Sequence, residues 1–134
     1  SGTTLVEQII SSHSEVIPAG ELGYIHQFSN TIAKGEIKIN AEILLNFRKN
    51  YLEKVQELFG ESSMVTDKMP LNFRYIGLIS STFPEAKIIH VKRDAAATCW
   101  GNYQKNFNDK NLSYSYDLDD LTTYCRLYQD LMKF

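Results

Sequence analysis

A chain of 134 residues and 15.4 kDa, with 14 basic against 16 acidic side chains, is long enough for one hydrophobic core and short for two domains. Its 43% hydrophobic and 22% charged residues sit at the globular average, which excludes a disordered or collagen-like chain, and a net charge of −2 offers no basic field to nucleic acid. No apolar run approaches the roughly 20 residues of a membrane helix, no signal-peptide pattern is present, and Cys99 and Cys125 are too few for a disulfide framework or a zinc site. One soluble domain in a reducing, cytoplasmic setting is expected. Both ends read as cuts through something longer: Ser1 is no start methionine, and Phe134 falls inside a periodic segment with no glycine or proline to stop it.

In chain order, Leu5, Val6, Ile9 and Ile10 predict a first helix over 3–12, with Thr3 and Thr4 at its start and His13 near its end. Glu15 to Ala19 reads as a brief strand or extended connection, ended by Pro18 and Gly20. Leu22, Ile25, His26, Phe28, Ser29 and Ile32 predict a second helix, stopped near Gly35. The clearest helix follows over 41–58, capped by Asn40, with Leu44, Phe47, Tyr51, Leu52, Val55, Leu58 and Phe59 along one side and Gly60 beyond. Its apolar stripe reads as core packing more than as the border of a substrate cleft. Met64 to Thr66 is a short strand, and Pro70 starts the next helix, which Pro84 ends. Lys87 to Val91 is the strongest strand signal, a nearly continuous apolar run. Ala95 to about Lys105 is helical, 107–116 is polar and turn-rich, and Asp117 opens a last helix with Leu121, Tyr124, Cys125, Tyr128, Leu131 and Met132 on its apolar side.

Helices alternating with short apolar strands, without a hairpin signal, predict an α/β fold with a parallel sheet flanked by helices. Such sheets hold ligands at the carboxyl ends of their strands. Three strand-to-helix turns carry fitting residues. Ser1-Gly2-Thr3-Thr4 combines a glycine, hydroxyls and the free amides of a helix start, which suit an anion, although a plain cap has the same look. Lys68, in Asp67-Lys68-Met69-Pro70, can reach an anion in the cleft or stand solvated. Arg93, in Lys92-Arg93-Asp94, can grip a phosphate with its fork or simply pair with a neighbouring acid. Glu21, after Pro18-Ala19-Gly20, could take a proton from a nucleophilic hydroxyl, or serve only as an acid favoured by a helix start. No metal constellation exists, since His13, His26 and His90 are scattered; His90, within the expected strand, reads as a core or near-core histidine.

Four stretches together resemble the sulfotransferases that use 3′-phosphoadenosine 5′-phosphosulfate (PAPS): residues 1–13 (SGTTLVEQIISSH), 19–22 (AGEL), 66–73 (TDKMPLNF) and 83–94 (FPEAKIIHVKRD). Residues 114–121 (YSYDLDDL) add to the likeness. It is closest to the bacterial-type branch often fused to tetratricopeptide repeats, and more distant from the protein-tyrosine sulfotransferases. The resemblance implies a P-loop-like three-layer fold, here lacking its first strand and its C-terminal part. It implies that Ser1, Gly2, Thr3 and Thr4 hold the 5′-phosphosulfate end of PAPS and that Arg93 binds the 3′-phosphate. Glu21 then matches the general base and Lys68 the lysine beside the transferring sulfuryl group, with adenosine 3′,5′-bisphosphate as the product. The acceptor would be a hydroxyl, on a protein tyrosine, a carbohydrate or a small molecule, and no metal is implied. Gly101 stands where the family carries a serine, so one hydroxyl contact to the 3′-phosphate is missing. The parent protein is expected to be active and this stretch alone inactive. The rival expectation is a P-loop phosphotransferase using ATP and Mg²⁺, with Asp67 or Asp94 as the metal's acid; it wants a lysine where Gly2 stands. A third is an inactive nucleotide-binding or interaction domain, for which Gly101 is the hint.

Overall fold

The helices begin where local chemistry starts them. Asn40 accepts the Ile43 amide at 2.9 Å, Asp94 the Ala97 amide at 2.8 Å, and Asp117 the amides of Asp119 and Asp120 at 2.8 and 3.0 Å, each satisfying donors that a helix start leaves open. The computed structural model describes residues 2–61, 64–105, 107 and 110–133. Within them the order is α1 (Thr3–Ile10), β1 (Val16–Pro18), α2 (Tyr24–Ala33), α3 (Ala41–Phe59), β2 (Met64–Thr66), a 3₁₀ turn (Pro70–Tyr75), α4 (Ile76–Thr82), α5 (Ala95–Tyr103), a second 3₁₀ turn (Lys110–Tyr116) and α6 (Leu118–Leu131). The chain divides into two compact units, Gly2–His90 and Val91–Phe134.

In the first unit β1 and β2 pair in parallel, Val16 opposite Met64, Ile17 opposite Val65 and Pro18 opposite Thr66. Parallel strands need a long crossover, here supplied by α2 and α3. The core lies beside that crossover: Ile25, Phe47 and Phe83 are buried, with Phe28, Tyr51, Tyr75, Leu78 and Ile79 packed on them. Phe28 and Phe47 stack with centroids 4.1 Å apart, and Phe83 meets Phe47 edge-on at 5.8 Å. The apolar stripe of α3 is core packing at Phe47 and Tyr51, whereas Leu52 and Leu58 of the same stripe are exposed. The second unit consists of α5, the second 3₁₀ turn and α6, with Leu121 buried and Tyr114 stacked on Tyr124 at 3.8 Å.

One expectation needs correcting. Lys87 to Val91 forms no strand among the described residues, and Ile88 and Ile89 are exposed at 48% and 61%, with His90 exposed beside them. A β-prone run becomes a strand only where another strand offers its edge, and this segment pairs with neither edge of the β1–β2 ribbon. On α1 the burial falls on an acid. Leu5 and Ile9 are 61% and 62% exposed, whereas Glu7 is 8% exposed. No helix among the described residues is long and apolar enough to cross a membrane.

Candidate active site

The parallel pairing brings the carboxyl ends of β1 and β2 together, and the chain stays zipped for two residues beyond them. Ala19 N–H donates to the Thr66 carbonyl at 3.0 Å, and Lys68 N–H donates to the Gly20 carbonyl at 2.7 Å. Gly20 has φ +64°, a left-handed conformation in which a side chain is strained. That bend turns the chain so that Glu21 faces Lys68. Their side chains meet: Lys68 Nζ donates to Glu21 Oε1 at 2.6 Å, with the lysine mostly sheltered and the carboxylate exposed. An ion pair this open contributes about 1 kcal/mol or less, so it matters more for where it holds two charges than for stability.

Glu7 of α1 ties the arrangement from below. Its Oε1 accepts the Gly20 amide at 3.1 Å and the Thr66 hydroxyl at 2.9 Å, one donor from each strand's end. Glu7 lies four residues into α1, so the helix start is about 6 Å away along its axis. There Gly2, with φ 94°, opens α1 in a left-handed turn and its carbonyl accepts the Val6 amide at 3.1 Å. No side chain caps this start among the described residues, so the first amides face outward as donors. Thr3 and Thr4 form the first turn of the helix. Ser1 lies outside the described residues.

Asp67, between Thr66 and Lys68, points the other way. It is largely buried, and its Oδ2 accepts the Tyr51 hydroxyl at 2.9 Å. Oδ1 makes no hydrogen bond of good geometry, although the Leu22 and Met69 amides and the Asn72 side chain lie near enough to favour the charged form. Burial outweighs them and raises the carboxyl above its ordinary range. The Tyr51 hydroxyl is pushed well up in turn, by burial first and then by the charge and hydrogen bond of Asp67. Tyr51 lines two open grooves of about 300 and 410 Å³, neither of which includes Glu21 or Lys68 in its lining, so neither is the strand-end site.

In the second unit Arg93 is exposed in the extended segment ahead of α5. Its neighbour Asp94 caps the helix, taking the Ala97 amide on its carboxylate and the Thr98 hydroxyl on its carbonyl. Gly101 lies two turns further along α5, where an added Cβ would meet no atom within 4 Å. Glu7, Thr66 and the Tyr51–Asp67 pair escape a reading of the sequence alone. The available signal for Glu7 is a single acid set between Val6 and Ile10 in an apolar-periodic helix. Among the described residues no cluster of histidine, cysteine and acidic side chains is arranged to hold a metal ion.

Charged side chains gathered at the carboxyl end of a parallel pair stand where α/β proteins hold their ligands. The chain belongs to the sulfotransferase family, whose family model matches residues 1–134. An uncharacterized protein of Aquifex aeolicus (strain VF5) is 41% identical over 134 aligned positions, covering 88% of this chain and 18% of that protein. The chain thus spans less than a fifth of that relative's length. No solved structure matches it.

Proposed function

We propose that the protein carrying this chain transfers a sulfuryl group from PAPS to a hydroxyl acceptor, with Glu21 as general base and Lys68 as the cation beside the moving group. The observation that carries this reading is the Lys68–Glu21 contact at the strand ends, whose two turns are bonded to Glu7 of α1. In an in-line displacement the acceptor oxygen bonds to sulfur as the bond from sulfur to the bridging phosphate oxygen breaks, and adenosine 3′,5′-bisphosphate departs with the negative charge. Lys68 and the outward amides of α1 suit that developing charge. Glu21 suits the acceptor proton, which it receives as the new S–O bond forms. Donor binding offers Lys68 an oxyanion in place of the Glu21 carboxylate, which would release that carboxylate to the acceptor. Gly2, Thr3 and Thr4 are the phosphosulfate ligands in this reading, in a P-loop-like fold, and Arg93 is the ligand of the 3′-phosphate.

Two observations weigh against a Mg²⁺-dependent phosphotransferase. The Asp94 carboxylate caps α5, and the Asp67 carboxylate is buried against Tyr51. The test is calorimetric binding of adenosine 3′,5′-bisphosphate against ADP, without and with Mg²⁺, to the full-length protein. Metal-independent preference for the bisphosphate is expected, weakened about tenfold or more by Arg93→Ala, which removes a charged partner of the phosphate. With PAPS and a phenolic acceptor, Glu21→Gln should lower kcat about 100-fold or more, the usual scale for losing a general base. Preference for ADP with Mg²⁺ overturns the proposal.

A further inference from the structure

Glu7 joins three parts of the fold at one atom. Its Oε1 takes the Gly20 amide, directly before Glu21, and the Thr66 hydroxyl, two residues before Lys68. The Gly20 carbonyl in turn takes the Lys68 amide. We propose that Glu7 is the positioning residue of the Glu21–Lys68 pair, setting both turns where they leave their strands and fixing them relative to the start of α1. The geometry stands on its own; its consequence for turnover rests on the sulfuryl-transfer reading.

A role in holding the fold together would not call for this residue. A carboxylate taken out of water is costly, and an apolar side chain at position 7, between Val6 and Ile10, would avoid that cost. The helix instead buries Glu7 and leaves Leu5 and Ile9 in solvent. What the Glu7 side chain supplies is one acceptor oxygen on which two donors converge, which no apolar residue could offer. Such convergence fixes angles as well as distances. It suits two turns whose side chains must meet one reacting group, where a misplacement of about 1 Å is enough to cost 100-fold in rate.

The experiment uses the full-length protein and three variants, Glu7→Ala, Glu7→Gln and Thr66→Val, each shown to be folded by circular dichroism. Hydrogen–deuterium exchange is read on peptides covering 18–23 and 66–70, with α3 as the internal control, and kcat and KM for PAPS are measured separately. Glu7→Ala is expected to speed exchange at the two turns about tenfold or more while leaving α3 unchanged, because only the local clamp is lost. It is expected to lower kcat about 30-fold with KM changed less than about threefold, as misorientation does. Glu7→Gln keeps an acceptor oxygen and should recover kcat to within about fivefold of the wild type. Should Glu7→Ala not fold, Thr66→Val decides by the same readouts, since it removes one of the two donors and keeps the side-chain shape. Unchanged exchange at the turns overturns the proposal, as does faster exchange with an unchanged kcat. If the wild-type protein transfers no sulfuryl group, the functional reading falls, and exchange alone decides whether Glu7 holds the pair.

Discussion

Tyr51 supplies Asp67 with its one hydrogen bond of good geometry, and the pair responds to pH in a way whose sign follows from burial. The folded Asp67 carboxyl is raised, so its contribution to stability is fullest below its unfolded value and is lost as pH rises through the raised one. Tyr51→Phe removes a donor that favours the charged form, which raises the carboxyl further and deepens that loss. The variant should be destabilised by about 1–3 kcal/mol at pH 7, and by less as the pH falls and the carboxyl takes up its proton. Tyr51 is itself raised, so the wild type should lose stability above pH 10, as the unfolded tyrosine ionises, and the phenylalanine variant should lack that component. Urea denaturation at pH 4, 7 and 10.5 checks all three signs. At this scale Glu21 and Lys68 stand out through the family resemblance, since by position alone each reads as an ordinary charged residue at a turn. The sequence hides Glu7, Thr66 and Tyr51, whose partners lie far along the chain.

Among the elements, the helices were legible because their signals are local: apolar period, a capping side chain at Asn40 or Asp117, proline at the start of the 3₁₀ turn. Pro70 opens a 3₁₀ turn of six residues before α4 proper begins at Ile76, a refinement that period alone does not supply. The strand expected at 87–91 is absent for the opposite reason, since pairing is decided by a neighbour the segment does not contain. Gly101 offers a test at this scale. It sits inside α5 with open space around its Cα, so Gly101→Ala should stabilise the protein by about 0.5–1 kcal/mol, measurable as an upward shift of the urea midpoint with an unchanged m value. Gly101→Ser fits the same space. If a hydroxyl there reaches the 3′-phosphate, the serine variant should bind adenosine 3′,5′-bisphosphate about three- to tenfold more tightly than the alanine variant, by calorimetry.

For the molecule as a whole, the distribution of apolar surface sets the behaviour of the chain outside its parent protein. Leu5 and Ile9 on α1, with Ile88 and Ile89 ahead of Val91, present large side chains to water from the first unit. Produced alone, the chain should self-associate in a concentration-dependent way, read by sedimentation velocity, and Leu5→Glu with Ile9→Lys should shift it toward monomer. The alternation of helix and strand made the α/β class readable, whereas the division into Gly2–His90 and Val91–Phe134 depends on contacts that no local pattern announces. The β1–β2 pairing also dictates when the strand-end site can exist. Closing the chain between Pro18 and Met64 costs about 3 kcal/mol of loop entropy before any contact at the far end offsets it, whereas the helices within that span form from local contacts. The clamp at Glu7 is therefore a late arrival in folding, and substitutions at Glu7 or Thr66 belong to the kind that hasten unfolding while leaving the folding rate nearly untouched.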